Sequence, residues 1–489
     1  MKIPASKPAS SPPALTLGRT HRPSIAAAFV LALTLGCSGG TDGEATEQPG
    51  ATVASPAHLV LITVSDLRVD IEHELLADAQ PAYAPSSLAA QSAASIFTGR
   101  LPSRAGAIGL DEAQPPPGAP TLPVWLRQAG YTTAWFAQAP WGSRDGFTRG
   151  MDWVETPPES GWTEMDVADR FDRAVADLLG PGKQPAFIAA HFAAPIEPTA
   201  EDLDSERSPA FWRADYAAGA ASTLDSAIHM VQSAREAAAV ADRPVVLVVA
   251  GLSGFDLAEH DDGIGSGWTM HEASIRVPLL AELIEGHSTS ALFAHAEPPA
   301  PPSLVDLTPT LLSFAGAFPS TGDAELLDGS SWASIIDQRA TWIATPADTP
   351  RISELVVRER NITRAVMAPT QDGVLKFVRV ARTVPVEDRP TLMRGYEEIQ
   401  AAMLSGATPT PELFGPAVQE QTFLLTPSEL GLPLRVANDV NDGTYRPLLS
   451  ALRRYAELTA RTGYEPLALT RRLEIDPDQM RDLESLGYL

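Results

Sequence analysis

Four short runs of this chain, residues 59–64, 133–137, 186–192 and 245–249, are apolar at nearly every position. A strand with one wet face alternates apolar and polar side chains, so runs of this kind predict strands covered on both faces. Helical patterns with recognisable ends lie between them. Thr121 caps one that Gly130 stops, Asp166 begins one that ends near Gly180, Ser303 precedes one running through Leu312, and an alanine-rich pattern fills 211–240. Strand and helix in alternation predict an α/β fold, a mostly parallel sheet sandwiched by helices. Past about residue 347 the pattern changes to strands at 374–380 and 422–425, an irregular excursion over 385–416 and a helix over 445–461, a small C-terminal α+β subdomain.

The N-terminus reads as a targeting segment. Lys2, Lys7, Arg19 and Arg22 precede an apolar run over 25–35, too short to span a bilayer, which ends at Gly36-Cys37. The stretch Leu33-Thr34-Leu35-Gly36-Cys37 resembles a bacterial lipobox, in which Cys37 becomes the lipid-carrying first residue of the mature chain. An ordinary cleaved signal peptide is the alternative. Cys37 is the only cysteine, so the mature domain has no disulfide framework. The domain layout is therefore a targeting segment at 1–37, a flexible tether at 38–56, an α/β domain at 57–347 and a C-terminal subdomain at 348–489. The expected location is the bacterial cell envelope, with membrane attachment through Cys37. With 61 acidic and 36 basic residues the net charge is −25, which argues against nucleic acid and bare anionic membranes as partners.

Several segments then point one way. Residues 84–100 close on Ile96-Phe97-Thr98-Gly99, and Gly130-Tyr131-Thr132-Thr133-Ala134 makes a turn into a strand. Gly146 to Asp152, Ser274 to Leu279, Leu304 to Leu312 and Asp328-Gly329-Ser330-Ser331 follow. In combination these resemble the sulfatase family of the alkaline phosphatase superfamily, from about His58 to the C-terminus. The resemblance implies a hydrolase fold whose reactive Cys, Ser or Thr opens the motif in 84–100. In register, that position is Ala89, the motif proline is Gln91 and the motif arginine is Ala93. A methyl group has no lone pair with which to attack sulfur or phosphorus.

The resemblance also implies one divalent cation, calcium, held by carboxylates at strand ends, since a hard cation stripped of water needs several oxygen ligands. The corresponding positions are Ser65, Asp66, Leu252 and Ser253, of which Asp66 alone is a carboxylate. Ile196 and Ser266 stand where the family has histidines. Asp66, Arg68 and His191 are thus read as a vestigial site, with no metal or other cofactor expected and no catalytic residue assigned. Two substitutes are weighed. Ser92, one helical turn past Ala89, is a weak nucleophile candidate against a packing or capping serine. Asp256, Glu259, His260, Asp261, Asp262, His271 and Glu272 are a metal candidate against a solvated charge run.

The leading reading is a sulfatase-like protein without catalysis that acts by binding, with an anionic glycan, sulfated or phosphorylated, as the ligand the family implies. One alternative is an active sulfuric- or phosphoric-ester hydrolase with a rearranged site. The other is a structural envelope lipoprotein that binds a protein partner.

Overall fold

The four apolar runs become neighbouring strands of one sheet. The computed structural model describes residues 56–107, 113–155, 157–158, 161–196, 208–257, 264–267, 270–292, 302–317, 327–332, 351–356, 361–370, 373–382 and 417–425. Its strands are β1 (His58–Val64), β2 (Gln80–Tyr83), β3 (Thr132–Ala137), β4 (Trp153–Glu155), β5 (Ala186–Phe192), β6 (Val245–Gly251), β7 (Asp256–Leu257), β8 (Ile264–Gly265), β9 (Arg276–Glu285) and β10 (Ser288–Ala291). The main sheet runs in the order β10-β9-β6-β1-β5-β3-β4, with β2 pairing β9. From β6 to β4 every pairing is parallel, while β2, β6 and β10 pair β9 antiparallel.

Eight helices accompany these strands among the described residues: α1 (Ala89–Thr98), α2 (Pro102–Ala105), α3 (Leu122–Gln128), α4 (Asp145–Thr148), α5 (Glu164–Leu178), α6 (Pro209–Val240), α7 (Glu272–Ile275) and α8 (Leu307–Ala315). The period-2 geometry of the strands sorts the core into two layers. Leu59, Leu61, Phe187, Ala189, Val246 and Val248 pack with α1, α3 and α8. Val60, Ile62, Val64, Ile188, Leu247 and Val249 pack with α5 and α6. Burying each large apolar side chain contributes about 1.5–3 kcal/mol, which is why both faces read as hydrophobic in sequence.

Helix starts differ in detail from the sequence pattern. The α5 helix begins after Thr163 because Asp166 is its third residue and not its cap. The Asp166 carboxylate accepts from the Thr163 N–H at 2.9 Å and the Thr163 hydroxyl takes the Asp166 N–H at 3.2 Å, a reciprocal capping box. Ser303 opens a 3-10 turn, Leu304–Asp306, that runs on into α8.

A second, antiparallel sheet holds β11 (Arg351–Val356), β12 (Asn361–Thr370), β13 (Gly373–Arg382) and β14 (Ala417–Leu425) in that order. The strands expected at 374–380 and 422–425 fall inside β13 and β14. The first of these strands grips the main domain. Ser353 Oγ donates to Ala84 O at 2.6 Å, and the buried Glu354 accepts from the Ser103 N–H at 3.1 Å. Residues 1–55, Cys37 among them, the excursion at 385–416 and the helix at 445–461 lie outside the described residues. Among those described, no helix is long and apolar enough to cross a membrane.

Candidate functional site

Parallel sheets place their chemistry beyond the carboxyl ends of the strands, and in this sheet β1, β5 and β6 end side by side. Thr63 is in register with both His191 and Ala250. The chain leaves β1 through Ser65 and Asp66, and Asp66 takes φ 53°, the one left-handed non-glycine residue among those described. Short polar side chains tolerate that conformation better than bulky ones. It is also fixed by three hydrogen bonds with two other segments. Ser253 Oγ donates to the Asp66 carboxylate at 2.6 Å and accepts the Asp66 N–H at 3.2 Å, while Tyr216 on α6 donates its hydroxyl to the Asp66 carbonyl at 2.7 Å.

Ser253 is held in place by its neighbour. A side chain on Gly254 would put its Cβ 1.9 Å from the Ala273 carbonyl oxygen, so this turn closes against α7 only with glycine there. Leu252 points the other way, fully buried in the α1-side core, and its N–H continues the ladder to Val64 O at 2.8 Å.

His191 occupies the end of β5 and is fully buried. The Thr63 hydroxyl donates to Ala190 O at 3.2 Å, so its oxygen is left to accept from the His191 Nδ1–H at 3.0 Å. Nε2 then accepts from the Ser65 hydroxyl at 3.2 Å. Trp135 stacks on the ring and Trp141 lies 4.5 Å from it, centroid to centroid. Burial in these surroundings pushes the imidazole down to about 3. Serine, histidine and a polar partner on Nδ1 have the outline of a nucleophile with its base. Yet a base must hold the proton it takes, and burial opposes imidazolium here more strongly than the hydrogen bond with Thr63 favours it.

Arg68, two residues past Asp66, pairs with Asp70. The Arg68 guanidinium binds Asp70 through Nε at 2.7 Å and Nη2 at 2.6 Å, and donates to the Phe255 carbonyl at 2.8 Å. Burial alone would raise the Asp70 carboxyl, but Arg68 and Arg213 outweigh it and hold it below the usual range. Tyr216 accepts the Arg68 N–H at 2.8 Å. Ile196 packs against the cluster of Trp212, Tyr216, Phe255 and Leu257.

Ala89 is the first residue of α1, buried to 6% exposure. Alanine-rich sequence favours the helix, and Gly99 ends it in the left-handed conformation at φ 65°. No side-chain oxygen caps its start. Order is kept by Ser86, whose hydroxyl takes the Leu88 N–H at 3.1 Å and donates to the Gln91 side chain at 2.9 Å. Ser92 is fully buried, and its hydroxyl accepts the Ser86 N–H at 3.1 Å and donates to the Ser86 carbonyl at 3.0 Å. That donation occupies the proton a nucleophile would have to lose, so Ser92 acts here as a clamp on the turn into α1. Ala89 shares no hydrogen bond with the strand-end groups.

The donors at the strand ends do not fit the cation that the resemblance implies. They amount to one carboxylate, already bonded to a hydroxyl, one hydroxyl bonded to histidine, and an aliphatic side chain in the core, against six to eight oxygens for calcium. Among the described residues, no group of three or more His, Cys, Asp or Glu gathers where a metal could sit. Of the charged run, Asp256 lies on β7 and His271 and Glu272 start α7, while Glu259, His260, Asp261 and Asp262 lie outside the described residues. Thr63, Tyr216 and Ser86 are the groups that sequence reasoning missed. Thr63 carried a signal, as the one hydroxyl in an otherwise apolar run.

The fold and the strand-end geometry define an α/β protein of the doubly covered parallel type. Residues 79–317 match the Sulfatase family model, and over that stretch the chain belongs to the sulfatase family. No curated protein matches the chain. Similar solved structures include a protein in complex with its substrate D-glucosamine-2-N,6-O-disulfate, at 15% identity over 83% of this chain and 98% of that one, TM-score 0.48. Phosphonate monoester hydrolases from Silicibacter pomeroyi and Agrobacterium radiobacter are also similar. The first shows 15% identity over 85% of this chain and 97% of its own, TM-score 0.49. The second shows 13% identity over 86% and 98%, TM-score 0.48.

Proposed function

We propose that this chain is a non-hydrolysing member of the sulfatase family that acts by binding. Two observations carry the reading: the position that supplies the family's attacking atom is the methyl group of Ala89, and the strand ends hold a single carboxylate, Asp66. Ester hydrolysis in this fold requires an attacking atom, a Lewis acid to absorb developing charge and groups to move protons. The side chains at 89, 65, 252, 253, 196 and 266 supply none of the three in the family's manner. The family relation supports an anionic glycan, sulfated or phosphorylated, as the ligand class. The net charge of −25 opposes such a ligand at long range, though salt screens that repulsion beyond about 8 Å at physiological ionic strength. Export and a lipid on Cys37 complete the proposal, placing the domain in the cell envelope.

The test is turnover of aryl sulfate, aryl phosphate and phosphodiester substrates, with Asp66→Ala as control, beside calorimetric titration with sulfated oligosaccharides. Background turnover with saturable glycan binding supports the reading. Turnover well above the control sinks it and favours a rearranged site, while neither turnover nor glycan binding shifts the proposal to a protein partner. A Cys37→Ala chain that still fractionates with membranes would overturn the anchor.

A further inference from the structure

We propose that the three strand ends, which the family ties together through a cation, are tied here by a protein-only lock built from the former ligand positions. The inference rests on the non-hydrolysing reading, because it assigns these residues a structural task in place of a catalytic one.

A divalent cation among carboxylates does two physical jobs: it cancels their mutual repulsion and it bridges chain segments far apart in sequence. The first job shrinks when the carboxylates fall to one. A single carboxylate can be stabilised by hydroxyl donation, and Ser253 donates to it at 2.6 Å. The second job is then divided among the positions that lost their ligands. Ser253 returns a second bond by accepting the Asp66 N–H, which ties the β6 end to the β1 end twice. Ser65 turns to His191 through its side chain and to Phe192 O through its N–H at 3.0 Å, which ties β1 to β5. Leu252 joins the core between the sheet and α1.

Around these, Tyr216 bridges the Asp66 carbonyl and the Arg68 N–H, and Arg68 reaches the Phe255 carbonyl, so α6 and the loop after β6 are included. Each replacement makes sense only with its partner. Aspartate at 65 would face a buried neutral imidazole, and at 252 an apolar core. The left-handed turn at Asp66, which needs support from outside itself, receives it from protein groups on two other segments.

The experiment is thermal unfolding of the purified full chain in chelator and in millimolar calcium or magnesium, for the wild type and for Ser253→Ala, Ser253→Thr and Ser65→Ala. The expected result is one wild-type midpoint in all three solutions. Ser253→Ala should melt several degrees lower and equally without regard to cation, Ser253→Thr should regain most of the loss, and Ser65→Ala should show a smaller drop. A ligand at a hundredfold excess over its Kd stabilises the state it binds enough to move the midpoint by a few degrees. A wild-type midpoint that rises with calcium or magnesium and falls with chelator would therefore overturn the lock, as would a Ser253→Ala chain that melts like the wild type. Should Ser253→Ala fail to fold, the wild-type cation series and Ser65→Ala decide. Ester turnover with cation-indifferent melting would remove the non-hydrolysing reading and keep the lock, and cation-dependent melting without turnover would do the reverse.

Discussion

In the non-hydrolysing reading proposed above, the two halves of the site depart from the family pattern in different ways. At the start of α1 the methyl group of Ala89 offers no attacking atom, while Ser86, Gln91 and Ser92 pin the turn into the helix. At the ends of β1, β5 and β6 the groups have new partners, and their identities now depend on one another. A deletion leaves a position free to change, whereas a set of paired replacements does not. The nucleophile half should therefore accept the ancestral residue at little cost and the strand-end half should reject it.

Leu252→Asp is the severest trial of that contrast. It removes a fully buried apolar side chain and places a carboxylate among Ala89, Val248 and Val277 in the same core. Losing the burial costs about 1.5–3 kcal/mol and an unpaired buried charge several more, so denaturant unfolding should show a loss of about 4 kcal/mol or no folded protein. A loss under about 1 kcal/mol would mean that the strand end can still open to a cation ligand.

Acid offers a second trial, aimed at histidines on opposite ends of the sheet. Burial lowers His191 from 6.5 to about 3, and burial, then the Arg243 charge, lowers His58 from 6.5 to about 4. Below 6.5 the unfolded chain takes up protons that the folded chain refuses, so stability falls as pH drops from 6.5 toward the folded values. Between pH 6.5 and 5 each site should contribute a loss of about 2 kcal/mol. Urea unfolding at the two pH values measures the sum, and His191→Gln should remove about half of the slope. An unchanged slope would place His191 outside the strand-end lock.

Within the nucleophile half, Ser92→Ala tests whether the scaffold is truly retained. It deletes both bonds to Ser86 and leaves a buried N–H without a partner, which costs about 1–3 kcal/mol. Urea unfolding reads the loss directly. A neutral outcome would return Ser92 to the list of free hydroxyls.

The same contrast shows what the amino-acid order reveals. Strands β1, β3, β5 and β6 were legible because burial on both faces writes a continuous apolar run. β9 was not, since Pro278 argues against a strand, yet it stands opposite Pro81 on β2, where neither residue asks the other for an N–H. The charged start of β11 hid it as well, because Glu354 is buried against a backbone N–H of another segment. At the site, the burial of Ala89 and Leu252 follows from their apolar side chains. Ser253 could not be read as a gain, because its partner Asp66 lies 187 residues away and only the sheet brings them together.

The smallest effect is expected from Ala89→Ser, and it separates scaffold from chemistry most cleanly. Residue 89 opens α1, where a serine hydroxyl can meet the unpaired N–H groups of the first turn, and the change adds one oxygen to a side chain 6% exposed. Stability should fall by no more than about 1 kcal/mol in urea unfolding, because a buried hydroxyl that finds a backbone partner costs little net. Activity should stay at background too. Groups that work as a unit contribute little alone, and a serine at 89 would still lack a Lewis acid and a proton carrier, because Asp66 is bonded to Ser253 and His191 is held neutral by burial. The paired measurement discriminates three ways. An unchanged fold without turnover is the expected pattern, and a destabilised fold would show that the nucleophile half has been rebuilt as well. Turnover of aryl sulfate or phosphate by this single variant would mean that the strand-end half still works as a catalytic partner, and the difference between the halves would collapse.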